Sequence, residues 1–209
     1  MKRVYIGNKE LTTIATVTNG GGGGDDTQKL VDYFNGTLTE FTVPEGVTKI
    51  RNYAFDNCRS LTSITIPDSV TGIGGYAFQF CSNLTSITIP SGVTSIANST
   101  FNGCEKLTGI TIPSGVTSIG YSAFSSCSSL TGITIPSGVT SIESYAFWLC
   151  SALASVTIEK STSKLAYNGN AFGNISSSAK LYVPSNLLSD YQADSKWTGA
   201  FGGGIYAIQ

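Results

Sequence analysis

The 209-residue chain contains no histidine. That single absence removes Ser-His-Asp and Cys-His catalysis, histidine metal sites and the ordinary proton shuttle near neutral pH. Charge is scarce as well. Asp, Glu, Lys and Arg together make up 12% of the residues, about half of the quarter usual in soluble proteins. Ser, Thr and Gly stand in their place, which predicts a neutral surface rich in hydroxyls. With a net charge of −1 there is no electrostatic footprint for nucleic acid or anionic lipid, so no nucleic-acid partner is expected. No apolar run approaches the roughly 18 to 20 residues needed to cross a bilayer, and no membrane insertion is expected. The opening Met1 to Glu10 starts with a basic pair, as an export signal does, but Lys9 and Glu10 interrupt it before an apolar stretch can form. Either the chain is not exported by that route or its leader is already gone.

What the chain does have is repetition. Five units of 23 residues run without a gap from Leu38 to Ala152, starting at Leu38, Leu61, Leu84, Leu107 and Leu130. A sixth, looser unit starts at Leu153, and a seventh begins at Leu181-Tyr182-Val183-Pro184. All six prolines (Pro44, Pro67, Pro90, Pro113, Pro136, Pro184) share one repeat position, and all five cysteines (Cys58, Cys81, Cys104, Cys127, Cys150) share another. Phe55, Phe78, Phe101, Phe124, Phe147 and Phe172 form a third column. Such self-similarity marks a repeat architecture in which each unit buries its apolar face against its neighbours.

Each column has a physical meaning. In Leu-x-x-Ile-x-Ile the two isoleucines lie two apart and face the same side of a strand. Between them sits a solvent-facing threonine: Thr42, Thr65, Thr88, Thr111, Thr134 or Thr157. The following proline has no N–H and ends the strand at the same point in every unit. Val-x-x-Ile then returns two apolar side chains inward, and Ala-Phe-x-x-Cys has the three-residue spacing of a short helical or 3₁₀ turn. The cysteines are expected to be unpaired core thiols, because Ile175 occupies their position in the sixth unit.

The segment from Leu61 to Asn83 closely resembles the BspA-like leucine-rich repeat, and the likeness extends from Leu38 to Pro184. The resemblance implies a right-handed leucine-rich repeat solenoid. A parallel β-sheet would form one face, with short strands and 3₁₀ or helical turns on the other. It also implies a group dominated by bacterial surface proteins, several of them adhesins, with no catalytic motif to transfer. In the sixth unit Glu159 replaces the proline and two extra residues fall between Leu165 and Phe172, which predicts a bulge.

The ends lie outside this pattern. Residues 1–37 are read as an N-terminal β segment. Val4 to Ile6 and Leu11 to Val17 would pair around Gly7-Asn8, followed by a tether at Gly20 to Gly24 and a short helix over Thr27 to Phe34. This segment is either a folded cap or an anchor attaching the solenoid, residues 38–184, to a larger assembly. Residues 185–209 are read as a C-terminal cap. Its helix would have Ser185 as N-cap and Leu187, Leu188 and Tyr191 on one face, with Trp197, Phe201 and Ile205 beyond.

Gly20 to Gly24 lacks the Gly-Lys-Ser/Thr of a phosphate loop, and Asp25-Asp26 falls short of the six to eight oxygens of a calcium site. No cofactor, metal or catalytic residue is therefore expected. Binding should lie where the units differ. Phe80, Tyr121 and Trp148 are the expected anchors, with Arg51 and Arg59 beside them in the first unit; the alternative is that the aromatics pack against the turns or the caps. The threonine face is plain enough to receive a flat or extended partner but shows no hot spot. The reading is a non-catalytic protein-interaction or adhesion module displayed on an extracellular bacterial surface. It would bind a protein or glycan ligand on a host or neighbouring surface. The alternative is a structural or receptor-binding component of a phage or prophage particle, located in the virion.

Overall fold

The computed structural model describes residues 36–208 and, near the start, the backbone of two short strands, β1 (Tyr5–Ile6) and β2 (Lys9–Glu10). These two pair antiparallel, Tyr5 with Glu10 and Ile6 with Lys9. The stretch from Leu11 to Val17, the glycine tether, Asp25-Asp26 and the helix over Thr27 to Phe34 lie outside the described residues.

From residue 38 the chain winds as a parallel β-solenoid of about seven coils. On one face run β3 (Glu40–Thr42), β5 (Ser63–Thr65), β7 (Ser86–Ile87), β9 (Gly132–Ile135), β11 (Ser155–Ile158) and β13 (Lys180–Val183). On the second face run β4 (Lys49–Ile50), β6 (Gly72–Ile73), β8 (Ser118–Ile119), β10 (Ser141–Ile142) and β12 (Ala166–Tyr167). Pairing partners such as Phe41 with Ile64 and Ile64 with Ile87 are one repeat apart. In every coil from the first to the fifth, the proline carbonyl accepts the N–H of the valine three residues on, for instance Val70 to Pro67 at 3.0 Å. Proline thus stops the strand and closes the turn in one step. Glu159, which has the N–H that proline lacks, donates it to Ile135 at 3.0 Å.

The third side is a corner built from tight turns, and here the 3₁₀ expectation is refined. Ala54, Asp56 and Cys58 donate to carbonyls three residues back, as in a 3₁₀ turn, but Tyr53, Phe55 and Asn57 donate to Gly75, Ala77 and Gln79 of the next coil. Alternate N–H groups therefore leave the coil, and left-handed residues such as Tyr53 (φ 62°) and Asn57 (φ 63°) interrupt any continuous helix. The same alternation recurs at Ser122 to Cys127.

The interior is one continuous column. Phe55, Phe78, Phe101, Phe124, Phe147 and Phe172 stack with centroids 5.2 to 5.6 Å apart and planes nearly parallel. The five cysteines are buried and free. From Cys81 onward each thiol donates to the carbonyl of the phenylalanine one coil earlier, Cys81 to Phe55 and Cys150 to Phe124 both at 3.1 Å.

The C-terminal segment closes this column, though not with the expected cap residue. Ser185 opens a 3₁₀ turn (Ser185–Leu187) flanked by Pro184, with no side-chain capping bond. The turn starts from the same proline carbonyl that elsewhere accepts a valine, here accepting Leu187 N–H at 2.9 Å. Helices α1 (Leu188–Gln192) and α2 (Ser195–Ala200) follow, and the side chain that does cap is Asp194, which accepts from Lys196 N–H at 2.9 Å. A hydrogen bond from Lys164, with that N–H, holds the Asp194 carboxyl below the usual carboxylate range. Trp197 and Phe201 lie over the Phe172 end of the stack, at 5.8 and 5.2 Å. Ile205 belongs to a further parallel strand, β14 (Ile205–Ala207), paired with β13. Gln192 of α1 donates to the Ile205 carbonyl at 3.0 Å, so a side chain covers part of that sheet edge.

Candidate functional site

The corner places two residues per coil at left-handed backbone positions, some of them exposed, as Tyr53 and Phe80 are, and others buried, as Ser99 and Ser122 are. One column holds Tyr53, Tyr76, Ser99, Ser122 and Tyr145, with φ between 51° and 62°. The other holds Asn57, Phe80, Gly103, Ser126, Leu149 and Asn174, with φ between 55° and 74°. Gly and Asn suit such a position, whereas a bulky side chain there is strained, by about 1 to 2 kcal/mol. Phe80 and Leu149 are thus the misfits of their column, and both are exposed, at 44% and 37%.

The expected anchors divide. Phe80 and Tyr121 are exposed, while Trp148 is half-buried. Its ring lies over the next coil, where Gly173 leaves the room: a β-carbon at Gly173 would come within 2.8 Å of the indole. Phe80 rests on Gly103 in the same way, with 2.6 Å to such an atom. Tyr121 meets Tyr145 edge-on at 5.6 Å, and Tyr145 meets Trp148 edge-on at 5.9 Å, so these three rings form one patch. Phe80 is not part of it. Arg51 and Arg59 are exposed at the first coil, Arg59 donating to Asn57 at 2.8 Å.

Sequence reasoning missed Tyr53, Tyr76 and Tyr145, of which Tyr53 is 39% exposed and stacks on Tyr76 at 4.7 Å. Their column reads as part of the repeat. The available signal was that it accepts either tyrosine or serine, which an apolar interior position does not.

The strand face is different in kind. Thr42, Thr65, Thr88, Thr111 and Thr134 are exposed in a ladder. The ladder is interrupted in the fourth coil, where residues 109–112 join no strand and the face divides into β3-β5-β7 and β9-β11-β13-β14. There Ile110 is half-buried, unlike Ile87 and Ile133, and a shallow cleft of about 730 Å³ is lined by Ile110, Thr111, Thr134, Thr157 and Glu159. Among the described residues no group of three or more Cys, Asp or Glu is placed to hold a metal, and no helix is long and apolar enough to cross a membrane.

A parallel solenoid with a 23-residue period, a phenylalanine column and a strand after the leucine of most repeats defines a leucine-rich repeat protein. The BspA type leucine rich repeat region matches in six copies over residues 32–153 and 94–193, and the chain belongs to that family. Among solved structures it is similar to a T. pallidum leucine rich repeat protein at 29% identity and a TM-score of 0.56, covering 77% of this chain and 80% of that one. It is also similar to a leucine-rich repeat protein from Eubacterium ventriosum, at 27% identity and a TM-score of 0.50, over 66% of this chain and 43% of that one. The pneumococcal vaccine antigen PcpA shares the fold at 17% identity and a TM-score of 0.63, over 83% of this chain and 43% of that one. The chain therefore spans less than half the length of the latter two. No curated protein matches it. Proteins of this family are in general interaction or surface-adhesion modules.

Proposed function

We propose that the chain is a non-catalytic adhesion module displayed on an extracellular bacterial surface, and that the corner ridge contacts its protein or glycan partner. Phe80 and Tyr121 are the outer anchors, Trp148 backs Tyr121 through Tyr145, and Arg51 and Arg59 flank the first coil. Residues 1–37 serve as the attachment to a larger assembly. The observation that supports the ridge is Phe80. A bulky ring is kept exposed at a left-handed position where four of the other coils carry Asn, Gly or Ser and the fifth carries Leu149, and strain held at the surface points to use rather than packing.

The test separates use from stability. Phe80→Asn relieves about 1 kcal/mol of backbone strain, which offsets the ring's contact on Gly103. The thermal midpoint, followed by circular dichroism, should therefore stay level or rise. Adhesion of beads coated with the protein to host cells should fall about tenfold, the equivalent of one modest anchor. Adhesion that survives both Phe80→Asn and Tyr121→Ser sinks the ridge. Immunogold labelling of intact cells and of released particles tests the location, and label confined to particles refutes surface display.

A further inference from the structure

A second surface lies where the repeat loses its rhythm. In the sixth coil the pairing partners Ile142 and Tyr167, and then Val156 and Leu181, are separated by two residues more than in the earlier coils. Beside this widened coil a groove of about 650 Å³ opens against α2, a size suited to a small molecule. Its accessible apolar lining comes from Ile175 and Ala200, together with glycine backbone, over the buried Phe172. Asn170 and Asn174 line it as well, both exposed, and neither carboxamide is engaged in a hydrogen bond within the described protein. Lys196 is the one charged residue in the lining, and its ammonium is already committed, to the Tyr167 carbonyl and over the Tyr167 ring at 4.1 Å.

We propose that this groove binds a neutral pyranose sugar. A carboxamide both donates and accepts, which matches a hydroxyl group's own double demand. The apolar lining suits the C–H face of a sugar ring, and the indole of Trp148 stands beside Gly173 at the edge of the groove. With no free carboxylate and no uncommitted ammonium, a charged ligand finds no counter-charge. This site lies apart from Phe80, so it stands or falls separately from the ridge.

Gly199 supplies the blocking variant. It lines the groove, and a β-carbon built there meets no atom within 4 Å. Replacing a helix glycine also favours the helix, by up to about 1 kcal/mol. Saturation-transfer NMR of the full chain with methyl glucoside, methyl galactoside, methyl mannoside and methyl N-acetylglucosaminide reads binding directly. We expect transfer to at least one of them, reduced about tenfold or more by Gly199→Phe and also by Asn170→Ala. The melting temperature of Gly199→Phe should not fall, and Phe80→Asn should leave the transfer unchanged. The proposal is overturned by an absence of transfer to all four or by transfer that survives Gly199→Phe. Transfer found only with methyl glucuronide, or lost in Phe80→Asn, overturns it equally.

Discussion

Replacing Phe101 with alanine is expected to lower the unfolding free energy by about 3 to 5 kcal/mol. Phe101 has no exposed surface and lies between Phe78 and Phe124, at 5.6 and 5.4 Å. Removing it deletes a buried aromatic and leaves a gap that its two stacking partners cannot close, because each is held from its own far side. Phe78 rests on Phe55 and Phe124 on Phe147. In a solenoid each coil is stabilised through its neighbours, so the loss should appear as one shifted transition and not as a separate early step. For a domain of this size the midpoint should drop by roughly 10 to 15 °C, measured by circular dichroism. A midpoint within a few degrees of the parent protein would mean that the column is not the shared interior. Ile110 is a weaker probe of the same question, being half-buried at the break in the strand face.

The columns were legible because one residue type serves one job in coil after coil. Pro67 and its equivalents lack an N–H, the phenylalanines need the axis, and the threonines face water. What the sequence hid was set by backbone bonds between coils and not by side-chain identity. The left-handed corner follows from N–H groups of one coil reaching carbonyls of the next, a constraint that Tyr53 obeys as readily as Asn57. Ser185 looked like a cap because Ser after Pro so often is one, yet the proline carbonyl had already claimed the turn. β14 escaped notice because Ile205 follows two helices and has no repeat around it. Among the candidate anchors, Phe80 and Tyr121 stood out by breaking columns of small residues. Trp148 broke its column too, but Gly173, in the irregular sixth coil, gave its ring somewhere to lie.

The cysteine column makes the fold sensitive to alkali. Burial pushes every one of the five thiols up, Cys58 and Cys150 each to about 12 and the three between them further, with Asp56 adding to the effect at Cys58. An unfolded thiol ionises near about 8.5. Below that value both states hold their protons and the column makes no pH-dependent difference. Above it the unfolded chain loses protons that the folded chain keeps, so stability falls as pH rises toward the folded values. Each thiol contributes a slope of up to about 1.4 kcal/mol per pH unit, and five act together. We therefore expect stability to be flat from neutral pH to about 8.5 and then to fall by several kcal/mol per unit, with unfolding at about pH 10 to 11. Thiolate absorbance in the ultraviolet should appear together with the loss of circular dichroism, not before it. Thiols that ionise near pH 9 while the structure persists would contradict the burial of the column. Replacing Cys104 with valine should reduce the slope by one thiol's share, since Ile175 already shows the position accepting an aliphatic side chain in the sixth coil. Cys104 also donates to the Phe78 carbonyl at 3.2 Å. That carbonyl keeps the backbone N–H of Cys81, also at 3.2 Å, so the variant should fold and the change in slope should be readable.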